Sequence, residues 1–503
     1  MKRRDFFKNS VAVATVGLAG NPLLAEAAPE LCSQPEFPKA PGLTKYVSEF
    51  IVNTKYEDIP ANVLDLGKKS MLDGFGLALA GSASEMGPLV REYLQNLGVS
   101  QGAGKASIIG TALKAPPRFA AFANGVSIHA DDFDDTQLAS AKDRVYGLLA
   151  HPTVPSLPPA FAYAETGNRS GKDFILAYQV GVEVECKIAE AISPRHYNDG
   201  FHTTGTCGSF GSTSACAKLR GLNPTQTAYA LGIAAAEGGG LRDNFGSMTK
   251  PFHAGHAGEN GTVAVELAAL GWTAAPDILE GALGFFQAAG GGFDPPSIVD
   301  KLGKPWTFAD PGVSIKPFPC GSLNHPAMGE FLDLVVKNNI KPDQVEKIDV
   351  GANHSMVTTL YHHRPQTGLQ GKFSMEFCIS ILLLRRKAGL IEYTDAVVRQ
   401  PEVQAMFPRV NFYVDPQAEA AGFDKMTSII RIHLKDGRTI SGNAQFAKGS
   451  PANPMSYDEA ADKFRGCADF AKWPTKKAET IIEAVKSLER APDLKNLTAA
   501  LTV

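Results

Sequence analysis

Residues 199–221 read DGFHTTGTCGSFGSTSACAKLRG, and residues 238–261 read GGGLRDNFGSMTKPFHAGHAGENG. Gly200, Gly205, Gly208 and Gly211 precede Ser212 to Leu219, a run of small, helix-compatible residues. This pattern predicts a loop that delivers backbone N–H groups onto a helix start, where an anion is held, with Gly205 and Gly208 as substrate-binding positions. His202 opens the loop. Lys250 stands in a second glycine-flanked turn after Gly246, ahead of a small-residue helix expected from near Ala254. Two glycine-shaped loops with ionisable groups at their tips predict the floor of a pocket.

The flanking chain is mostly helical in pattern. Helices are expected at 44–52, at 60–79 (Asp58 as cap, Pro60 in the first turn, Gly81 beyond the end), at 86–97 and at 117–130. Apolar residues at helical spacing continue through 158–192, and Asn223-Pro224 marks another helix start running to Ala236. Residues 106–109 read as a short strand. Beyond residue 310 the texture changes: 344–350 and 429–434 alternate like strands, the latter entering an Asp436-Gly437 turn before 439–443. Helical patterns at 325–338 and 373–388 lie between them, and helices return at 457–472 and 476–488. The pattern predicts a mainly α large domain, all-helical, which the C-terminal helices rejoin (40–308 plus 450–503), and a smaller α+β domain at 309–449.

The 503 residues carry 49 basic and 52 acidic side chains, a formal net charge of -3. That balance offers no general field for nucleic acid or an anionic membrane, so any anion is held locally. Residues 1–28 read as a twin-arginine signal peptide: Arg3-Arg4 in a basic start, an apolar run from Ser10 to Gly20 too short to span a bilayer, and a small-x-small site at Ala25-Glu26-Ala27. A soluble periplasmic protein is the expectation. Seven cysteines without a C-x-x-C pair read as mostly buried small hydrophobes.

HADDFDDT (129–136) places four carboxylates within five positions. As an isolated run it would be a solvated helix end, but flanking Ala, Phe and His suggest burial, which raises the pKa of at least one carboxyl, as a proton carrier requires. A hard-cation site is a minor reading, because the regular D-x-D-x-D-G spacing is absent. His253, His256 and Glu259 share a helix face that could bind a transition metal, though without H-E-x-x-H they read better as hydrogen-bonding groups. His362 and His363 are expected in solvent. Lys250 among small residues is expected either to neutralise a ligand carboxylate or to lose its proton, and KPFPCGSLNH (316–325) reads as another loop that supplies one base, with Lys316 and Phe377 as substrate-binding candidates, in a pocket between the two domains.

HADDFDDT, HPTVPSLPPAFAYAE from His151, GFHTTGTCGSFGS, MTKPFHAGHAGENG, the K-P-F-P…H segment and KFSMEFC (372–378) together resemble the MmgE/PrpD family over roughly residues 45–475. Its members include 2-methylcitrate dehydratase, cis-aconitate decarboxylase and an iminodisuccinate epimerase. The resemblance implies a large helical domain made from both chain ends with the smaller α+β domain as a lid, a homodimer, catalysis without a required metal or organic cofactor, and active-site positions at Asp132, Thr136, His151, His202, Lys250 and His325. Lys250, His325 and loop amides would hold carboxylates, and Asp132 with His151 or His202 would move a proton at the carbon beside one. The first expectation is a cofactor-independent lyase of the hydro-lyase kind acting on a small di- or tricarboxylate. The alternatives are an epimerase or isomerase, a decarboxylase, and a periplasmic polycarboxylate-binding protein. Phe377, where many relatives have tyrosine, cannot donate a hydrogen bond. The link from Gln137 to Ala150 reads as longer than usual, which would reshape the pocket rim.

Overall fold

The structure is a computed structural model that describes residues 39–100, 105–137, 139–140, 145–146, 150–422 and 425–503. The expected signal peptide, Cys32 and most of the 137–150 link lie outside the described residues. The six described cysteines are free and buried.

Helices dominate. The first is Leu43–Asn53 (α1), followed by Ala61–Ala83 (α2), Met86–Asn96 (α3) and Pro117–His129 (α4). Asp58 does not cap α2: its carboxylate accepts from Lys55 N at 2.8 Å in a preceding 3-10 turn, and Pro60 takes the N-cap position. Gly81 lies inside α2 rather than beyond it. A Cβ there would sit 1.9 Å from Ser127 O on α4, so the glycine permits close helix contact instead of ending the helix. The strand expected at 106–109 shrinks to Ala106–Ser107, paired antiparallel with Lys114–Ala115.

The 158–192 pattern resolves into Thr153–Thr166 (α5) and Gly171–Ala191 (α6). The glycine-rich stretch is not a loop: a turn of helix spans Thr203–Thr206, and the next helix, Gly208–Arg220 (α7), begins four residues before the expected start. Asn223 caps Pro224–Glu237 (α8) through its side chain, as its sequence predicts. Thr249–Ala269 (α9) likewise starts ahead of Ala254 and takes Lys250 into its first turn.

Four strands form the main sheet: Val345–Ala352 (β1), Val410–Val414 (β2), Ser428–Leu434 (β3) and Thr439–Ala444 (β4), in the order β2-β1-β3-β4. β2 runs parallel to β1 and the other pairs are antiparallel, with Gly437 (φ 87°) in the β3–β4 turn. The sequence reading left out β2, a five-residue run joined to β1 by a long helical connection. His325–Lys337 (α10) covers β3 and β4, and Met375–Arg385 (α11) packs on α10 and β2. Tyr457–Phe470 (α12) then returns to α2, with Phe464 and Cys467 against Gly76 and Lys463 Nζ 2.7 Å from buried Asp73, and Thr475–Lys486 (α13) follows. Residues 39–503 form one compact unit, and no helix among the described residues is long and apolar enough to cross a membrane.

One helix crossing positions the chemistry. α4 and α9 meet glycine to glycine, where a Cβ on Gly125 would lie 2.8 Å from Gly255 Cα. His129 is four residues beyond that point on α4 and Lys250 five before it on α9, so each lies roughly one helical turn away and the two helix ends converge. Replacing Gly81 by alanine is expected to lower stability by about 3 kcal/mol through overpacking against Ser127; denaturant melts with an unchanged m value check it.

Candidate active site

Past the end of α4 the chain turns sharply, and Asp132 takes a left-handed backbone conformation (φ 50°) that asparagine and aspartate tolerate better than other side-chain-bearing residues. Its Oδ1 lies 2.5 Å from Lys250 Nζ and 3.0 Å from Lys316 Nζ. Lys316 also donates to Asp132 O (2.8 Å) and Cys320 O (3.0 Å). All three side chains are buried. Burial opposes the charge on Asp132, but Lys250, Lys316, His151 and His129 outweigh it and hold the carboxyl well below the usual range. Burial lowers the pKa of Lys250 despite Asp132, with Lys316 adding to the shift.

Around this cluster stand four imidazoles. His129 Nε2 meets Lys250 Nζ at 3.0 Å, and its Nδ1 meets Asp134 Oδ1 at 2.8 Å. His151 lies with Nδ1 3.2 Å from Asp134 Oδ2 and Nε2 3.5 Å from Asp132 Oδ1. His202 Nδ1 faces His253 Nδ1 at 3.1 Å, while its buried Nε2 has no hydrogen-bond partner among the described residues. Burial lowers the pKa of all four, to about 3 for His129 and about 4 for His253, so they are neutral near pH 7. The tautomer of His129 follows from its contacts: Nε2 accepts from the lysine and Nδ1–H donates to Asp134.

His129, Asp132, Asp134 and His151 have ligand-type atoms within 4.8 Å of one another. Two ammonium groups already flank Asp132, which disfavours a divalent cation sharing that carboxylate. The expected His253, His256 and Glu259 face diverges. His253 turns in toward His202, whereas His256 lies 3.4 Å from Glu259, which Arg118 also pairs. His363 is exposed and bonds Glu376, but His362 is half-buried against Gly246 rather than in solvent.

A pocket opens on this cluster, with Asp132, Thr136, His151, Lys250 and Lys316 in its wall. Those expected residues therefore come together. The others stand elsewhere. His202 lies in the layer behind, stacked 5.8 Å from His129. His325 is buried with Nε2 3.2 Å from Cys320 O, outside the pocket wall. Gly205 and Gly208 sit in helical turns, where a Cβ would come within 2.2 Å of Gly239 O and 2.6 Å of Pro155 Cγ; they serve close packing. Phe377 is fully buried against Tyr393 and Phe407, so its missing hydroxyl does not face the pocket.

Residues the sequence reading missed are His129 and Asp134, both inside the quoted HADDFDDT run, and Tyr197, Phe245 and Phe373, which line the pocket without any local signal. Phe245 and Phe373 stack at 5.4 Å and flank Lys250 Nζ at 5.1 and 5.5 Å. The carboxyl whose pKa rises is Asp135, to about 7, and it points away from the pocket to Thr153. Asp132, the expected proton carrier, shifts the other way because two lysines reach it.

The description "MmgE/PrpD N-terminal domain" matches residues 45–297 and "MmgE/PrpD C-terminal domain" matches 318–490. The chain belongs to the MmgE/PrpD family. Among curated relatives, the cis-aconitate decarboxylase of Homo sapiens is 27% identical over 91% of this chain and 94% of its own length. That of Aspergillus terreus is 27% identical over 92% and 96%. The two matched ranges hold the pocket residues named above apart from Lys316, which lies between them.

Asp135 also generates a pH dependence. Its folded pKa, raised first by burial, lies above the unfolded value of 3.8, so its contribution to stability is full below about pH 4 and is lost as pH rises toward 7. Asp135→Asn removes that titration. The stability of wild type relative to Asp135→Asn is expected to fall by a few kcal/mol, in order of magnitude, between pH 4 and 7.5; paired thermal melts across that range measure it, with the neighbouring histidines common to both proteins.

Proposed function

We propose that this MmgE/PrpD protein is a carboxy-lyase that removes CO2 from a small unsaturated tricarboxylate of the cis-aconitate class. The observation that carries the reading is the buried meeting of Lys250 and Lys316 on Asp132 in the pocket wall. Similarity to cis-aconitate decarboxylases along nearly the whole chain supports it. Dehydration, the first expectation from sequence, starts with a base taking a C–H proton. Asp132 is a poor base because both lysines stabilise its charged form. Decarboxylation needs no such base, only a sink for the electron pair and a later proton donor.

In this reading a substrate carboxylate lies against the lysines, and the departing one faces the apolar wall of Phe245, Leu360 and Phe373. The C–CO2 bond breaks, CO2 leaves, and the electron pair passes through the double bond onto the carboxylate at the lysines as an enediolate. Fixed positive charge in a dry site stabilises that charge as it develops. Lys250, with its lowered pKa, donates a proton to the far carbon, which completes the double-bond shift. The proton lost is restored from water, and the Lys250–His129–Asp134 chain holds the lysine in place. Residues 309–449, which supply Lys316 and Phe373, act as the lid. The first 28 residues would direct the folded homodimer to the periplasm.

Proton NMR with cis-aconitate in D2O tests the reading. Vinylidene signals of a dicarboxylate product with stoichiometric CO2 are expected, whereas hydroxy-acid signals without CO2 would replace this proposal with the hydro-lyase reading. Lys250→Ala is expected to weaken tricarboxylate binding by about 100-fold, and Asp132→Asn to lower kcat by a similar factor while retaining binding. Calorimetry and initial rates separate the two effects.

A further inference from the structure

The pocket wall carries a hydroxyl whose proton has no acceptor among the described residues. Tyr197, in the short helical turn Arg195–Asn198, lines the pocket, is 4% exposed, and has beside its hydroxyl the Arg242 guanidinium, which can donate to the oxygen but cannot accept the proton. A buried polar group left unpaired costs stability in the empty protein, which points to a ligand group as its partner. Its placement is enforced. The Arg242 guanidinium lies 3.9 Å from the Tyr197 ring centroid, Nη1 donates to Tyr197 O at 2.9 Å, and Nη2 reaches Oγ1 of Thr359, another lining residue, at 3.3 Å. The buried Arg242 Nε also lacks a partner, and among the described residues this side chain makes no ion pair within 4.0 Å.

Charge counting indicates what the hydroxyl meets. Two lysines and one aspartate are the permanently charged side chains in the pocket wall, so a tricarboxylate brings more negative charge than they offset. The nearby Lys372 is committed to Asp131 at 2.9 Å. Arg242, stacked behind Tyr197, is the next uncommitted positive charge, and the phenol is the donor that stands in front of it.

We propose that Tyr197, braced by Arg242, is a specificity-determining contact that donates its O–H to a carboxylate the substrate keeps through the reaction. This rests on the carboxy-lyase reading given above. Because that carboxylate is bound alike in the ground and transition states, Tyr197 acts on affinity and leaves the bond-breaking step alone. Arg242 is a positioning residue that fixes the ring and adds charge behind it.

The test is Tyr197→Phe, which keeps the ring and removes the hydroxyl. With cis-aconitate the KM is expected to rise at least 10-fold with kcat within about 3-fold, and the dicarboxylate product should inhibit correspondingly less well. The ligand-free variant should melt at or above the wild-type temperature, since the orphaned hydroxyl is gone. Arg242→Gln should raise KM in the same direction and add little in the Tyr197→Phe background. An active wild type whose KM is unchanged by Tyr197→Phe overturns the role of Tyr197 alone. A wild type that neither binds nor converts tricarboxylates overturns the carboxy-lyase reading and this inference with it, and the two failures are told apart by the wild-type assay.

Discussion

Two lysine ammonium groups sharing one buried carboxylate is the arrangement on which the rest depends. Removing three charges from water costs several kcal/mol per ion, and mutual attraction offsets this only when geometry is close and the remaining protons are hydrogen-bonded. The geometry is close, Lys316 also bonds two backbone carbonyls and Lys250 also bonds His129, while Asp132 adopts a left-handed backbone that presents Oδ1 to both and leaves its buried Oδ2 without a hydrogen-bond partner among the described residues. Because Asp132, Lys250 and Lys316 come from three segments far apart in sequence, the cluster exists only when the helical body and the segment leading into the sheet are docked together.

Close helix packing is what lets those segments meet. Gly125 against Gly255 brings α4 and α9 to near backbone contact, Gly81 does the same for α2 and α4, and Gly205 allows the His202 turn to approach Gly239. The imidazoles then lie in a dry layer where they stay neutral, so positive charge in the pocket is confined to the two lysines. Tyr197 adds a neutral donor to the same pocket wall.

Much of this could be read before any coordinates. The HADDFDDT run held four of the groups that meet at the site or just behind it, and the MTKPFH segment held the central lysine. The glycine stretch was misread for a physical reason: glycine serves both turns that need a positive φ and helices that need no Cβ, and local sequence does not separate the two. Gly205 and Gly208 belong to the second class. The acidic cluster was rightly expected to be buried, but which carboxyl rises and which falls depends on partners more than a hundred residues away.

Local pattern by itself determined the helices, three of the four main strands, the capping of α8 and the family, because hydrophobic period, cap residues and turn glycines act over a few neighbours. Only the tertiary structure decided that Asp132 is paired with two lysines, that Phe377 and His325 pack outside the pocket wall, and that Tyr197 lines the pocket. Charge state and solvent access depend on whatever long-range packing brings within a few ångströms, and no window of sequence contains that information.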